Sequence, residues 1–482
     1  MLELSQEASD ELWRTVVDLI AAHPARLAEG RATPEALDAA AVRALVEGFD
    51  LEQPLPPAQA VQRVAEGLYR HQVHPPHPRY FGLFNPAATE AGVAGDALAA
   101  VFNPNVAAWS HSPFATEVEQ RLIREIGGLF GWPPEIVEGT FTAGGMEANH
   151  SAVLAALTEK FPAFRGQGLR GLTADPVFYV SAECHHSFHR AARMCGLGTV
   201  GVRPVRADES LRLDPAELER RIEADRGQGR APFLVVGTAG TTNAGAVDPL
   251  EEIGAIARRH GLWFHVDAAW AGAAALVPEL RALLAGVERA DSLTVDAHKW
   301  FSAPMGAGVF LTQRKGSLEK AFSEQNPYMP REAGAAAGVD QYQRGLQWSR
   351  RFFGLKLWLS LLLHGWEGYR QAVRRMTELG ERLETGLRER GWRILNRTPL
   401  PIVCFVPADT DDPAALEAIR DQVFRSGEAW ISTTRLRGDQ PALRACVTNF
   451  RTSEADIDRL LDSLDAARRQ KPLDAGTAAV VK

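Results

Sequence analysis

Two stretches decide the fold: LWFHVDAAW, Leu262–Trp270, and DSLTVDAHKW, Asp291–Trp300. Each is a short run rich in β-branched or aromatic residues that passes directly into reactive side chains, Asp267 in the first and Asp296, His298 and Lys299 in the second. Such runs, too short and too uniformly apolar for an amphipathic helix, read as strands buried on both faces. Working outward, VFYV at Val177, FLVVG at Phe233 and GVFLT at Gly308 have the same character, with helical stretches between them. From about Tyr80 to about Thr312 this alternation predicts an α/β fold, a mostly parallel sheet flanked by helices on both faces. Toward the N-terminus, Gln6 to Leu27 and Pro57 to His71 carry apolar residues at helical spacing until HQVHPPHPRY interrupts it. Toward the C-terminus a long helical region, RRFFGLKLWLSLLLHGWEGYRQAVRRM, is followed by WRILN, PIVCFVP, ALRACVTNF and EADIDRLLDSL, which predict a small α/β domain. The expected division is a helical N-terminal segment over residues 1–85, a large domain over 86–368, a small domain over 369–470 and a frayed tail, KPLDAGTAAVVK, over 471–482.

The chain has 482 residues, 45% hydrophobic and 23% charged, the balance of a globular protein with two or three domains. A net charge of -7, a pI near 6.0 and the lack of a long Lys/Arg run argue against nucleic acid or an anionic membrane as partner. Small molecules and a second copy of the chain are the expected partners. The start, MLELSQEASDELWRTVVDLI, lacks the basic and apolar blocks of a signal peptide, and no stretch reaches the roughly 18 apolar residues of a membrane span. Cys184, Cys195, Cys404 and Cys446 are scattered without a CxxC pair, which fits reduced thiols in the cytoplasm.

In open α/β sheets ligands sit outside the carboxyl ends of the strands, so the residues that follow each strand carry the functional signal. FTAGGMEANHS places Gly144 and Gly145 before a helix starting near Met146, where free backbone N–H groups could hold a phosphate, although a Gly-Gly pair is also an ordinary turn. ECHHSFHRAAR supplies His185, His186 and His189; no HExxH or Cys/His pairing accompanies them, so metal is not expected, and an aromatic ring laid on a cofactor is the better functional reading for one of them. GTAGTTN offers Thr238, Thr241 and Thr242, hydroxyls that a loop can equally use to satisfy its own backbone. Asp267 ends an apolar run and needs a cationic or hydrogen-bonding partner, such as the pyridinium nitrogen of a cofactor or a structural ion pair. Lys299 is either a surface residue or an amine desolvated for covalent work. Phosphate turn, ring, carboxylate and amine occurring in this order, each at a strand end, are hard to assemble by chance.

These segments resemble the group II decarboxylases that depend on pyridoxal 5'-phosphate, the family of aromatic-L-amino-acid, glutamate and histidine decarboxylases, within the aspartate-aminotransferase-like fold (fold type I). The resemblance runs from HPRYFGLFNP through SPFATEVE, FTAGGMEAN, HHSFHRAA, GTAGTTNAGAVDPL, WFHVDAAWAG and DAHKW to RRFFGLKLW and ALRACVTNFRT. It implies a seven-stranded sheet, a homodimer with shared active sites and the loss of a carboxylate from an amino acid. It implies further that Lys299 carries the cofactor as a Schiff base, that Asp267 partners its ring nitrogen, and that His185 stacks on one face with Ala269 against the other. Thr242 would lie near the ring, Gly145 and Met146 would give N–H groups to the phosphate, and His298 would complete the surround. KAFSEQNPYMPRE resembles the family's catalytic loop, which makes Tyr328 the residue that reprotonates the substrate carbon.

The sequence also departs from that pattern. Met146 stands where the family usually has Ser or Thr, and Asp296 where aromatic decarboxylases have an amide beside the phosphate, so its carboxylate is expected to point away or bind something else. Leu83 and Ala107 replace larger aromatic residues; with Phe84 and Trp109 they are the expected substrate-pocket residues, and the pocket should be wider. Aromatic amino acids lead the substrate expectation. An aldehyde synthase, a carbon–carbon lyase or a transaminase on the same site is the alternative. Tyr328 argues against the first, whose members usually carry Phe in the loop. A transaminase would want an arginine on the substrate carboxylate, for which Arg444 and Arg451 are candidates, though both also read as exposed helix-flanking residues. A non-catalytic scaffold would have been suggested by loss of Lys299 or Asp267.

Overall fold

The computed structural model describes residues 2–325 and 338–470. Eleven strands build two sheets: β1 Glu138–Thr142, β2 Pro176–Ser181, β3 Val202–Val205, β4 Ala231–Thr238, β5 Trp263–Asp267, β6 Ser292–Asp296, β7 Gly308–Thr312, β8 Trp392–Ile394, β9 Ile402–Pro407, β10 Ser432–Leu436 and β11 Gln440–Cys446. The large sheet has the order β1-β7-β6-β5-β4-β2-β3. β2, β3, β4, β5 and β6 pair in parallel, and β7 lies antiparallel between β6 and β1. Two reversals cancel, so β1 points the same way as β6. The carboxyl ends of β1, β2, β4, β5 and β6 therefore share one edge of the sheet.

β5, β6 and β7 are buried along their whole length, the outcome their uninterrupted apolar runs predict. The five strands read in the sequence are all present. β3 was not anticipated: VRPV is four residues long and carries Arg203 and Pro204, the profile of an edge strand. The N-terminal helices span Gln6–Glu29 and Pro57–Arg70, with a further helix, Ala39–Glu47, between them. The long helical region is Leu355–Glu389, broken at Gly365, whose φ of 60° suits glycine. Beyond it the antiparallel sheet β10-β11-β9-β8 is packed by the helices Pro413–Ser426 and Glu454–Arg469. Residues 471–482, expected as a frayed tail, lie outside the described residues.

A buried ion pair ties the front of the molecule together. Arg350 donates to Glu119 on the helix Pro113–Leu129 and to the carbonyl of Phe141 in β1, and the other Glu119 oxygen accepts from the Gly354 N–H at 3.0 Å. Removing one member of such a pair strands the other charge in the interior. Glu119→Ala is expected to lower the unfolding free energy by about 3–5 kcal/mol, read as a lower urea midpoint. All four cysteines are free thiols, and no helix among the described residues is long and apolar enough to cross a membrane.

Candidate active site

The shared edge of the sheet gathers the predicted segments. At the end of β1 the chain turns through Ala143 and Gly144 into the 16-residue helix Gly145–Lys160. The N–H groups of Gly144, Gly145 and Met146 find no acceptor among the described residues and, at the positive end of the helix, form a cradle for an anion. The turn fits tightly. A Cβ on Gly145 would come within 2.8 Å of Asp296 Oδ2, and one on Gly308 in β7 within 2.5 Å of Thr142 Oγ1 and 2.6 Å of Gly144. Gly308→Ala is accordingly expected to destabilise the fold by about 1–3 kcal/mol, measured by chemical unfolding. The Met146 side chain packs on the core cluster that contains Val153 and Phe178. An apolar residue thus serves at this position, and only the backbone is left to meet a phosphate.

At the end of β5, Asp267 is buried at 5% exposure. Its Oδ1 accepts from the Ala269 N–H at 3.0 Å and its Oδ2 from Asn149 Nδ2 at 2.9 Å. No ion pair within 4 Å joins it to a Lys, Arg or His among the described residues, so a buried carboxylate stands with two neutral donors and no counter-charge. At the end of β6, Lys299 Nζ lies 3.0 Å from Asp296 Oδ2, and His298 Nε2 lies 3.8 Å from the same oxygen. The Ala307 N–H donates to His298 Nδ1 at 3.1 Å, and burial lowers the pKa of this imidazole. Asp296 therefore does not point away from the cradle. It lies against Gly145, holds Lys299 through one oxygen and leaves the other, Oδ1, buried without a partner.

His185, exposed after β2, accepts from the Ser187 N–H through Nδ1 at 3.2 Å. Desolvation lowers its pKa, Asp267 opposes that shift and the Lys299 ammonium adds to it, which puts all three groups in one electrostatic neighbourhood. His186 also acts on His185 by charge, and its ring lies 6.0 Å from that of His189. Among the described residues no group of three or more His, Cys, Asp or Glu side chains is arranged to hold a metal.

The Thr242 carbonyl accepts from Arg444 Nη1 at 2.7 Å; Arg444 also donates to the Gly82 carbonyl at 2.9 Å and to Ser432 Oγ at 3.0 Å. This corrects the expectation of an exposed, helix-flanking Arg444: it is buried in β11, and its guanidinium is engaged by Gly82, Thr242 and Ser432. The strap it ties down carries Leu83, which is exposed, and Phe84, which stacks on Trp270 at 4.3 Å. Ala107 sits in a separate buried cluster with Tyr342, and Trp109 bonds Glu117 through its indole N–H at 2.9 Å. Tyr328 lies outside the described residues.

The site thus gathers Gly145, Met146, His185, Thr242, Asp267, Ala269, His298 and Lys299 along one edge, with Phe84 on the neighbouring strap, while Ala107 and Trp109 make their contacts with Tyr342 and Glu117. Asn149, the direct partner of Asp267, was missed in the sequence. Free N–H donors, an uncompensated buried carboxylate and a primary amine suit a flat, phosphorylated cofactor with a protonated ring nitrogen and a carbonyl group.

Comparison with known proteins agrees. The family profile described as the pyridoxal-dependent decarboxylase conserved domain matches residues 51–407. The chain is 29% identical over 473 residues to the aromatic-L-amino-acid decarboxylase of Bacillus atrophaeus, covering 96% of each chain. It is 31% identical over 414 residues to human cysteine sulfinic acid decarboxylase, covering 83% of each. The structure superposes on crystalline mouse CSAD with a TM-score of 0.89 at 27% identity, covering 97% of this chain and 99% of that one.

Proposed function

Because this chain belongs to the pyridoxal-dependent amino acid decarboxylases, we propose that it converts an L-amino acid with an aromatic side chain to the amine and carbon dioxide. The observation that carries the reading is Asp267, a buried carboxylate without a counter-charge on the same sheet edge as Lys299 and His185. Pyridoxal phosphate, when bound, supplies a carbonyl that captures the amino group and a ring that takes up the electron pair left as the carboxylate departs.

The chain's own residues do the rest. Lys299 Nζ would anchor the cofactor through its carbonyl group. Asp267 would keep a proton at the ring nitrogen, and His185 and Ala269 would hold the ring. The N–H groups of Gly145 and Met146 bind the phosphate, with His298 beside them and Thr242 near the ring. Tyr328 returns a proton to the substrate Cα as a general acid. Tyr328→Phe is expected to slow amine formation by on the order of 10²-fold or more and, in aerated buffer, to divert part of the product to the aldehyde and ammonia with dioxygen taking the two electrons as hydrogen peroxide, which chromatography and a peroxide assay of a single reaction would resolve.

The aromatic preference is supported by the exposed apolar side chain of Leu83 next to Phe84, and by Arg444, three of whose five N–H donors are engaged by Gly82, Thr242 and Ser432. Incubation of the loaded enzyme with tyrosine, tryptophan, glutamate and cysteine sulfinate in separate reactions tests it. Turnover confined to the acidic pair would refute it. A homodimer is supported by the exposed apolar side chains Trp13, Val17, Ile20, Val64 and Leu68 on the N-terminal helices, and a cytoplasmic setting by the four free thiols.

A further inference from the structure

Behind Asp267 runs a chain of buried hydrogen bonds. The Trp263 indole N–H can only donate, and it donates to Ser292 Oγ at 2.8 Å. The Ser292 hydroxyl lies 2.8 Å from His265 Nδ1. The opposite ring nitrogen, Nε2, faces Asn149 Oδ1 at 3.2 Å and Thr294 Oγ1 at 3.3 Å. With its oxygen turned to His265, Asn149 must turn Nδ2 the other way, to Asp267 Oδ2 and to Ser187 Oγ, both at 2.9 Å. Ser292 and His265 are wholly buried, and Asn149 is 1% exposed. Burial pulls the His265 pKa down to about 4, so the ring stays neutral at neutral pH.

The consequence falls on Asp267. The Asn149 amide and the Ala269 N–H both present protons to it, so the two oxygens are held as acceptors. That arrangement fixes the rotation of the carboxylate plane. We infer that Asn149 and His265 are positioning residues that hold the Asp267 carboxylate aimed at the cofactor's ring nitrogen, with Ser292 and Trp263 bracing His265 from the core. This rests on the proposed pairing of Asp267 with that nitrogen.

The test compares two ligands in one site: pyridoxal phosphate and its carbocyclic analogue, in which a C–H replaces the ring nitrogen. Their dissociation constants are titrated against cofactor-free wild type and Asn149→Leu, with thermal unfolding of both proteins as a check on the fold. Wild type should prefer pyridoxal phosphate, and Asn149→Leu should shrink that preference by on the order of tenfold. Equal weakening of both ligands, or an unchanged preference, would overturn the inference. A wild type with no preference would instead refute the pairing of Asp267 with the ring nitrogen. Should Asn149→Leu fail to fold, Ser292→Ala, two links away, should reduce the preference in the same direction by a smaller factor, and an unaltered preference there counts equally against the inference.

Discussion

Lys299→Ala is expected to lose decarboxylation by on the order of 10⁴-fold or more, the scale on which removing a covalent catalytic group acts. The reason lies in the geometry of the β6 end. Lys299 Nζ is held 3.0 Å from Asp296 Oδ2 beside the anion cradle and within the electrostatic reach of His185, and among the described residues no other lysine pairs with Asp296. Lys356, the other lysine close to this region, is committed to Asp96 and to the Met305 carbonyl. Borohydride reduction of the wild-type holoenzyme should fix the cofactor's mass on the peptide that contains Lys299, and the variant should give no such adduct. An adduct on another lysine, or a variant that keeps its activity, would remove Lys299 from its assigned role.

The second large effect is expected at Asp267. Asp267→Asn keeps the size and most of the hydrogen bonding but removes the charge that holds a proton on the ring nitrogen, and kcat should fall by on the order of 10³-fold, as when a preorganised electrostatic partner is lost. KM should change far less, since the substrate's own side chain does not touch this residue in the proposed arrangement. The bound cofactor's absorption should at the same time become sensitive to pH across the range in which wild type is constant. A variant with normal kcat would mean that the buried carboxylate is a structural residue tied to Asn149 and Ala269 and nothing more.

The parts of this site that were legible in the sequence share a physical cause. Parallel strands buried on both faces read as unbroken apolar runs, so the polar residue that ends each run, Asp267 after WFHV or Lys299 after SLTVDAH, stands out. The cradle was legible because two adjacent glycines precede a helix, and the structure gives the steric reason for Gly145 in the closeness of Asp296. Asn149 left no such mark. It lies one turn inside a buried helix, its partners Asp267 and His265 are 118 and 116 residues away, and an amide on a helix face has no local pattern. Arg444 misled for the opposite reason, because an arginine flanking a helix suggests exposure, whereas its guanidinium bridges Gly82, Thr242 and Ser432. Asp296 could be flagged as unusual from its position, but its turn toward Lys299 and Gly145 is a matter of tertiary packing.

The most direct test of the central claim is a single reaction of the pyridoxal-phosphate-loaded enzyme with an aromatic L-amino acid labelled with ¹³C at the carboxyl carbon, run in deuterated water and analysed by mass spectrometry. The account predicts labelled carbon dioxide and an amine carrying one deuterium at the former Cα. A keto acid or an aldehyde as the main product, or an amino acid recovered with its carboxylate intact, would contradict it.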